Sequence, residues 1–327
     1  MLLTLLSDLD DYVQSLFMLF EHYPLFKLGL FVILGALLGS HAGMLSVRLP
    51  LQIKQESQFV CHNGEKTQCQ YSNNDSLTHA SNDKALLSKK RSHCLNCMSL
   101  IPFYHNVPIL SYIVLKGKCA NCHAPISKQY LWIEMHMLVL FFCIGLLPQI
   151  GYETIAFLAI TYFTVILLWI DKKHFLLPDV LTLSLLWMGL FFNLFELFVP
   201  LQDAVIGAMV GYASLWGVNK LFCIVRGYDG MGQGDMKYFA AIGACIGTHY
   251  LLLILTLSAA LAIIHTLLDA LFMHKKKLGT NSELESSKQY QLNINGSDNS
   301  INNKQMIAFG VYLSISFWGI CFYQFLI

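Results

Sequence analysis

Apolar residues gather into long blocks along this chain, and most of the blocks have the length of a membrane-crossing helix. A helix needs about 20 predominantly apolar residues to cross a bilayer, and eight blocks have or approach that length. The sixth is short, which would suit a tilted helix, a helix buried among its neighbours or one half of a hairpin with the seventh. The predicted spans are 26–44, 130–148, 154–170, 180–199, 204–223, 236–247, 250–272 and 306–327.

Two polar stretches interrupt this apolar pattern. Residues 51–129 follow the first span and hold six cysteines and many lysines, which predicts a small folded insertion. Residues 274–305 are rich in Ser, Asn, Gln and Lys, and so little apolar surface predicts a disordered loop. We therefore expect an all-α polytopic membrane protein of three parts. These are an N-terminal segment with the first transmembrane helix (1–50), the insertion (51–129) and a transmembrane domain (130–327).

The composition agrees with a membrane protein, because hydrophobic residues make up 55% of the chain and charged residues only 13%. A net charge of +1 gives no attraction for nucleic acid, so membrane lipid is the expected surrounding. Alternating spans place on one side the insertion and three loops, 171–179, 224–235 and 273–305. The loops of the opposite side contain no lysine or arginine, and they are 149–153, 200–203 and 248–249. Basic residues favour the cytosol, so the insertion should be cytosolic.

The insertion carries two cysteine pairs with the spacing of zinc knuckles, Cys94-x-x-Cys97 and Cys119-x-x-Cys122, separated by 21 residues. Four thiolates can hold one zinc ion tetrahedrally. Disulfides are the alternative, but they are uncommon in the reducing cytosol. With four protein ligands no coordination position stays open, so we expect a structural zinc ion that stabilises the insertion.

Two aspartates stand at the ends of predicted spans. Asp171 ends the third span and Asp235 follows a glycine-rich segment before the sixth. Both should lie at the same depth on the cytosolic side, where they can meet. Two close carboxyl groups share one proton, which allows one to activate water while the other protonates a carbonyl oxygen and a leaving amine. Gly230, Gly232 and Gly234 would leave room beside Asp235 for a peptide backbone.

Three further polar residues are candidates for supporting such a site or its substrate. Asp179 follows Pro178 at the start of the fourth span, where we expect it to cap the helix. Glu134 lies one turn into the second span, where it would face a polar cavity or a substrate. Lys237 comes two residues after Asp235.

Several segments, in this order and spacing, resemble the bifunctional type IV prepilin peptidases, which are aspartic membrane proteases of the GxGD type. The matching segments are RSHCLNC, NVPILSY, KGKCANC, ISKQYLWIE, WIDKKHFLLPD and GMGQGDMKYFAAIGACIG. The chain departs from the family pattern at Gly43, where asparagine is common, and at His105, where aspartate is common. The resemblance covers most of the chain outside its two polar stretches.

This resemblance implies a two-step reaction at the bacterial inner membrane. The basic leader of type IV prepilins and of type II secretion pseudopilins would be cleaved after a glycine at the cytosolic face. The new N-terminal residue would then be methylated with S-adenosylmethionine. The resemblance assigns catalysis to Asp171 and Asp235 and metal binding to the four cysteines of the two knuckles.

Two other functional classes remain open for the residue pattern. A proton-coupled membrane transporter would use Asp171, Asp179 and Asp235 as a proton relay, with the zinc module as a cap. A zinc-stapled membrane scaffold without catalysis would leave the two aspartates separated and exposed.

Overall fold

The computed structural model of the protein describes residues 2–63, 97, 99–100, 114–148, 150–279 and 307–326. These residues form nine helices, together with one isolated β-bridge between Lys118 and Pro125. The helices in chain order are α1 (Leu2–His22), α2 (Pro24–Asn63), α3 (Lys128–Gly145), α4 (Tyr152–His174), α5 (Asp179–Leu194), α6 (Leu201–Arg226), α7 (Gln233–Ile246), α8 (Leu251–Gly279) and α9 (Phe309–Leu326).

Five of these helices are long and apolar enough to cross a membrane. The crossing segments are Pro24–Ile53 of α2, Leu251–Leu271 of α8, and the whole of α4, α6 and α9. The chain is therefore an all-helical, multi-pass membrane protein. The other three predicted spans correspond to α3, α5 and α7, which have 18, 16 and 14 residues. An arrangement of eight spans stays a prediction.

Helix α7 is short because it is packed inside the bundle. Its 14 residues extend about 21 Å at 1.5 Å per residue, well under the roughly 30 Å of a bilayer core. Nearly every residue after its first turn is buried. It crosses α6 at two glycines: a Cβ added to Gly207 would lie 2.4 Å from the carbonyl oxygen of Gly243. Small residues at such crossings let two helix backbones touch within a membrane.

The C-terminal end of α7 is held by one buried side chain, Asn193 of α5. Its amide nitrogen donates to the carbonyl oxygens of Ala244 at 2.9 Å and Cys245 at 3.0 Å. Its amide oxygen accepts from the backbone N–H groups of Phe198 and Val199. The amide thus satisfies carbonyls that a helix end leaves without intrahelical partners, and it ties α7 to the loop that follows α5.

One helix was not predicted, and two helices run well past their predicted ends. The N-terminal segment forms a helix of its own, α1, whose Asp10 accepts a hydrogen bond from Tyr152 at the start of α4. Helix α2 continues past residue 50 to Asn63. Helix α8 continues to Gly279, so residues 274–279 of the expected disordered loop are helical. The rest of that loop lies outside the described residues.

Candidate active site

Asp171 is buried at the end of a membrane-crossing helix. It lies in the last turn of α4 and is only 4% exposed. The helix ends because Phe175 adopts a left-handed conformation (φ 51°) and donates its N–H to the carbonyl oxygen of Asp171 at 2.9 Å. The chain turns sharply there and leads into the loop before α5.

Asp235 lies in the first turn of α7, three residues after the capping residue Gly232. A carboxylate is favoured there because the helix dipole places partial positive charge at the N-terminus. The glycine-rich loop before α7 is held by Asn219 of α6, whose side-chain oxygen accepts from the N–H groups of Gly230 at 2.9 Å and Met231 at 3.0 Å. The position of Asp235 is therefore set by both α6 and α7.

The structure brings these two aspartates together, 64 positions apart in sequence. Their carboxyl groups are close enough to repel each other electrostatically. Leu177 packs against a glycine beside each aspartate. A Cβ added to Gly234 would stand 2.8 Å from Leu177 Cβ, and one added to Gly310 would stand 3.3 Å from Leu177 Cδ1. Within the described part of the chain, Asp171 Oδ2 and Asp235 Oδ1 are buried without a hydrogen-bond partner. A buried carboxyl oxygen without a partner can receive a proton, a water molecule or a substrate.

The first turn of α9 lies beside Asp171. The backbone amides of Gly310 and Val311 interact with the Asp171 carboxylate. A Cβ added to Gly310 would lie 2.8 Å from Asp171 Oδ2, so this approach needs glycine. Sequence reasoning missed Gly310, because nothing in the local pattern relates the start of the last span to the end of the third.

The expected capping role of Asp179 is wrong. The capping residue of α5 is Pro178, and Asp179, the first helical residue, makes no capping hydrogen bond. Its carboxylate instead accepts two hydrogen bonds from Lys237 Nζ, at 2.7 and 2.8 Å. A charged donor attracts the carboxylate more strongly than a backbone N–H does. The pair joins the first turns of α5 and α7 beside the two aspartates.

The glycines before Asp235 have a packing role that the sequence did not indicate. The space that a side chain of Gly234 would need is occupied by Leu177, and that of Gly230 by the ring of Phe222 at 2.7 Å. Only Gly232 faces the carboxylate itself, with Asp235 Oδ2 at 3.5 Å from an added Cβ. Room beside Asp235 is thus left mainly by Gly232.

Glu134 lies where α3 packs against α2. It is 8% exposed, and a Cβ added to Gly39 of α2 would lie 3.0 Å from its Cα atom. One turn away, Gly43 faces Tyr130 in the same manner, with the tyrosine ring 3.3 Å from an added Cβ. Both glycines permit close packing of α2 against α3, including the one that departs from the family pattern.

Three of the four predicted metal ligands cluster. The Sγ atoms of Cys97, Cys119 and Cys122 all lie within 4.8 Å of one another, while Cys94 lies outside the described residues. Sulfur atoms bound to one tetrahedral zinc ion at about 2.3 Å stand roughly 3.8 Å apart. A tight turn presents the second pair, because Cys119 donates its N–H to the carbonyl oxygen of Ala124 at 2.9 Å. The thiol groups present therefore fit a zinc ion.

The fold and the site together define a polytopic helical membrane protein with a buried aspartate pair at one end of its bundle. Residues 33–147 match the model of the bacterial peptidase A24 N-terminal domain, and residues 156–267 match that of the type IV leader peptidase family. No solved structure matches the chain.

Three relatives give the extent of the similarity, each named prepilin leader peptidase/N-methyltransferase. The Aeromonas salmonicida protein is 36% identical over 241 residues, which cover 74% of this chain and 80% of the relative. The Neisseria gonorrhoeae protein is 36% identical over 73% of this chain and 81% of its own. The Pectobacterium carotovorum protein is 34% identical over 80% and 88%. The chain belongs to the prepilin leader peptidase/N-methyltransferase family of A24 peptidases, as the sequence motifs predicted.

Proposed function

We propose that this protein cleaves the basic leader of type IV prepilins and type II secretion pseudopilins, using Asp171 and Asp235 as its catalytic pair. The observation that carries the proposal is the meeting of these two carboxyl groups at one end of the bundle. Each has a buried oxygen without a hydrogen-bond partner in the described residues. Family membership supports the same reaction.

The chemistry follows from two carboxyl groups that share a proton. Two close negative charges are unfavourable in a buried site, so one group is ionised and the other protonated. The ionised carboxylate takes a proton from water as the water attacks the carbonyl carbon of the leader's scissile bond. The protonated group donates to the carbonyl oxygen, and a proton then passes to the leaving amine as the carbon–nitrogen bond breaks.

Cleavage takes place at the cytosolic face in this proposal. The end of the bundle that holds Asp171 and Asp235 also holds the start of α3, because Lys173 Nζ of α4 donates to Gln129 Oε1 at 2.6 Å. The cysteine module comes directly before α3 in the chain. The lysine and arginine bias of the loops at this end supports a cytosolic location in the bacterial inner membrane.

The cysteine module is proposed to bind zinc in a structural role. Cys97, Cys119 and Cys122, with Cys94, would hold the ion and leave it no open position. A bound zinc ion would contribute folding energy to the module.

The second proposed activity is methylation of the new N-terminal residue, with S-adenosylmethionine as co-substrate. It is supported by the match of residues 33–147 to the bacterial A24 N-terminal domain and by the names of the relatives. None of the contacts among the described residues assigns the co-substrate a site.

The test is incubation of the purified protein with a prepilin that carries its leader. Mass spectrometry should show the loss of the leader after a glycine, followed by the gain of one methyl group when S-adenosylmethionine is present. A prepilin whose glycine at the cleavage site is replaced by a bulky residue is the matched control. A prepilin left intact would exclude the proposed peptidase, and proton-driven uptake by reconstituted vesicles would then favour a transporter.

A further inference from the structure

Tyr238 is a fully buried polar residue next to the catalytic pair that the reaction itself does not use. It lies three residues after Asp235, on the next turn of α7, and its side chain is 0% exposed. Its hydroxyl oxygen lies 2.7 Å from Ser314 Oγ of α9. A tyrosine hydroxyl buried this deeply needs a hydrogen-bond partner, and the partner here belongs to a different helix.

The direction of this hydrogen bond is fixed by the next contact along α9. Ser314 Oγ donates to the carbonyl oxygen of Gly310 at 2.8 Å. A serine hydroxyl has a single proton to donate, so Ser314 must accept from Tyr238. The donors therefore run in one direction, from Tyr238 to Ser314 to Gly310.

This chain of hydrogen bonds ends at the catalytic carboxylate. Gly310 and Val311 present their backbone amides to Asp171, and Gly310 is in close contact with Asp171 Oδ2. One route thus leads from the helix of Asp235, through α9, to the carboxylate of Asp171. Asp171 is thus linked by buried polar contacts to the helix that carries Asp235.

We propose that Tyr238 and Ser314 are positioning residues that hold the first turn of α9, and so its two amides, against Asp171 at the height of Asp235. This inference rests on the proposed peptidase activity. In this proposal both side chains act through the backbone of α9. Their contribution is to keep the Asp171 carboxylate in the orientation in which it shares a proton with Asp235, because small misplacements of a catalytic group are costly in rate.

The variants Tyr238→Phe and Ser314→Ala each interrupt the chain by removing one hydroxyl group. We expect kcat for leader cleavage to fall roughly 10- to 100-fold with little change in KM, since substrate contacts are left in place. The double variant should be hardly worse than the stronger single variant, because both changes break the same chain of contacts.

The matched control is Thr164→Val. Thr164 of α4 accepts from Trp318 Nε1 of α9 at 3.0 Å, so this change removes a buried hydrogen bond between the helix of Asp171 and α9 without reaching Gly310. Its effect on thermal unfolding should resemble that of Tyr238→Phe and Ser314→Ala, whereas its kcat should stay near the wild-type value.

Three outcomes separate the two proposals. The positioning role is supported if the wild-type protein processes prepilin and kcat falls only in Tyr238→Phe and Ser314→Ala. The positioning role is overturned, and the proposed peptidase is not, if the wild-type protein processes prepilin and all three variants keep its kcat. An equal loss of kcat in Thr164→Val has the same meaning. A wild-type protein that does not process prepilin overturns the proposed peptidase itself.

Discussion

Gly310 and Asp171 are packed so closely that a Cβ atom added at position 310 would stand 2.8 Å from Asp171 Oδ2. Atoms of neighbouring residues do not approach that closely without a shift of one of them. Asp171 is buried and cannot move away into solvent. The first turn of α9 therefore sets the orientation of this carboxylate.

Gly310→Ala is expected to abolish leader cleavage while leaving the protein folded. The added methyl group would push Asp171 out of reach of Asp235 or displace the amides that interact with it. Gly319→Ala is the control on the same helix, because a Cβ there meets nothing within 4 Å. Processing of prepilin in membranes with equal amounts of enzyme measures the effect. Equal activity of the two variants would mean that the contact at Gly310 has no catalytic consequence.

The ion pair between Asp179 and Lys237 is expected to have a small effect on stability. The two side chains are 58% and 29% exposed, and exposed pairs contribute about 0.2–1 kcal/mol. Asp179→Asn should lower the free energy of unfolding by about that amount, and less at high salt. A double-mutant cycle with Lys237→Gln measures the coupling. Complete loss of processing in Asp179→Asn would instead give Asp179 a role in catalysis.

The crossing of α6 and α7 predicts a larger loss of stability. A Cβ at Gly207 would meet the backbone of Gly243 at 2.4 Å, so Gly207→Ala should force the helices apart at a cost of about 1–3 kcal/mol. On the same helix, a Cβ at Gly217 meets nothing within 4 Å, and Gly217→Ala should be neutral or slightly stabilising. Thermal unfolding in detergent compares them. A midpoint for Gly207→Ala at or above that of Gly217→Ala would contradict the packing.

The cysteine module should bind one zinc ion per chain. Three thiol groups already lie within 4.8 Å of one another, and thiolates bind zinc tightly. Cys97→Ser should lower the zinc content and expose the module to proteolysis, whereas Cys143→Ser, on α3, should retain the metal. Metal analysis of the purified variants provides the measurement. A wild-type protein that contains no zinc and oxidises to disulfides would refute this prediction.

The sequence predicted the meeting of Asp171 and Asp235 because both stand at helix ends of the same depth. The ends of membrane helices are defined by composition, which a single sequence displays. The roles of Gly310, Ser314 and Tyr238 could not be predicted, because they depend on the register between helices distant in sequence. Such a register is set by packing of side chains in three dimensions.

Two errors of interpretation have local physical causes. Asp179 was expected to cap α5, yet Pro178 takes the extended conformation of the capping position and Lys237 attracts the carboxylate. Gly234 was expected to make room for a substrate, yet that room is filled by Leu177. In both cases the partner comes from another segment of the chain, so a local motif could not indicate it.

The most direct test of the central claim is the rate of leader cleavage by Asp171→Asn, Asp235→Asn and the double variant. Each single change removes one carboxyl group from a pair that works only as a unit, so each should abolish processing and the double variant should be no worse. The three variants should remain folded and membrane-inserted, since asparagine matches aspartate in size. Processing near the wild-type rate by either single variant would remove that residue from catalysis and contradict the proposed mechanism.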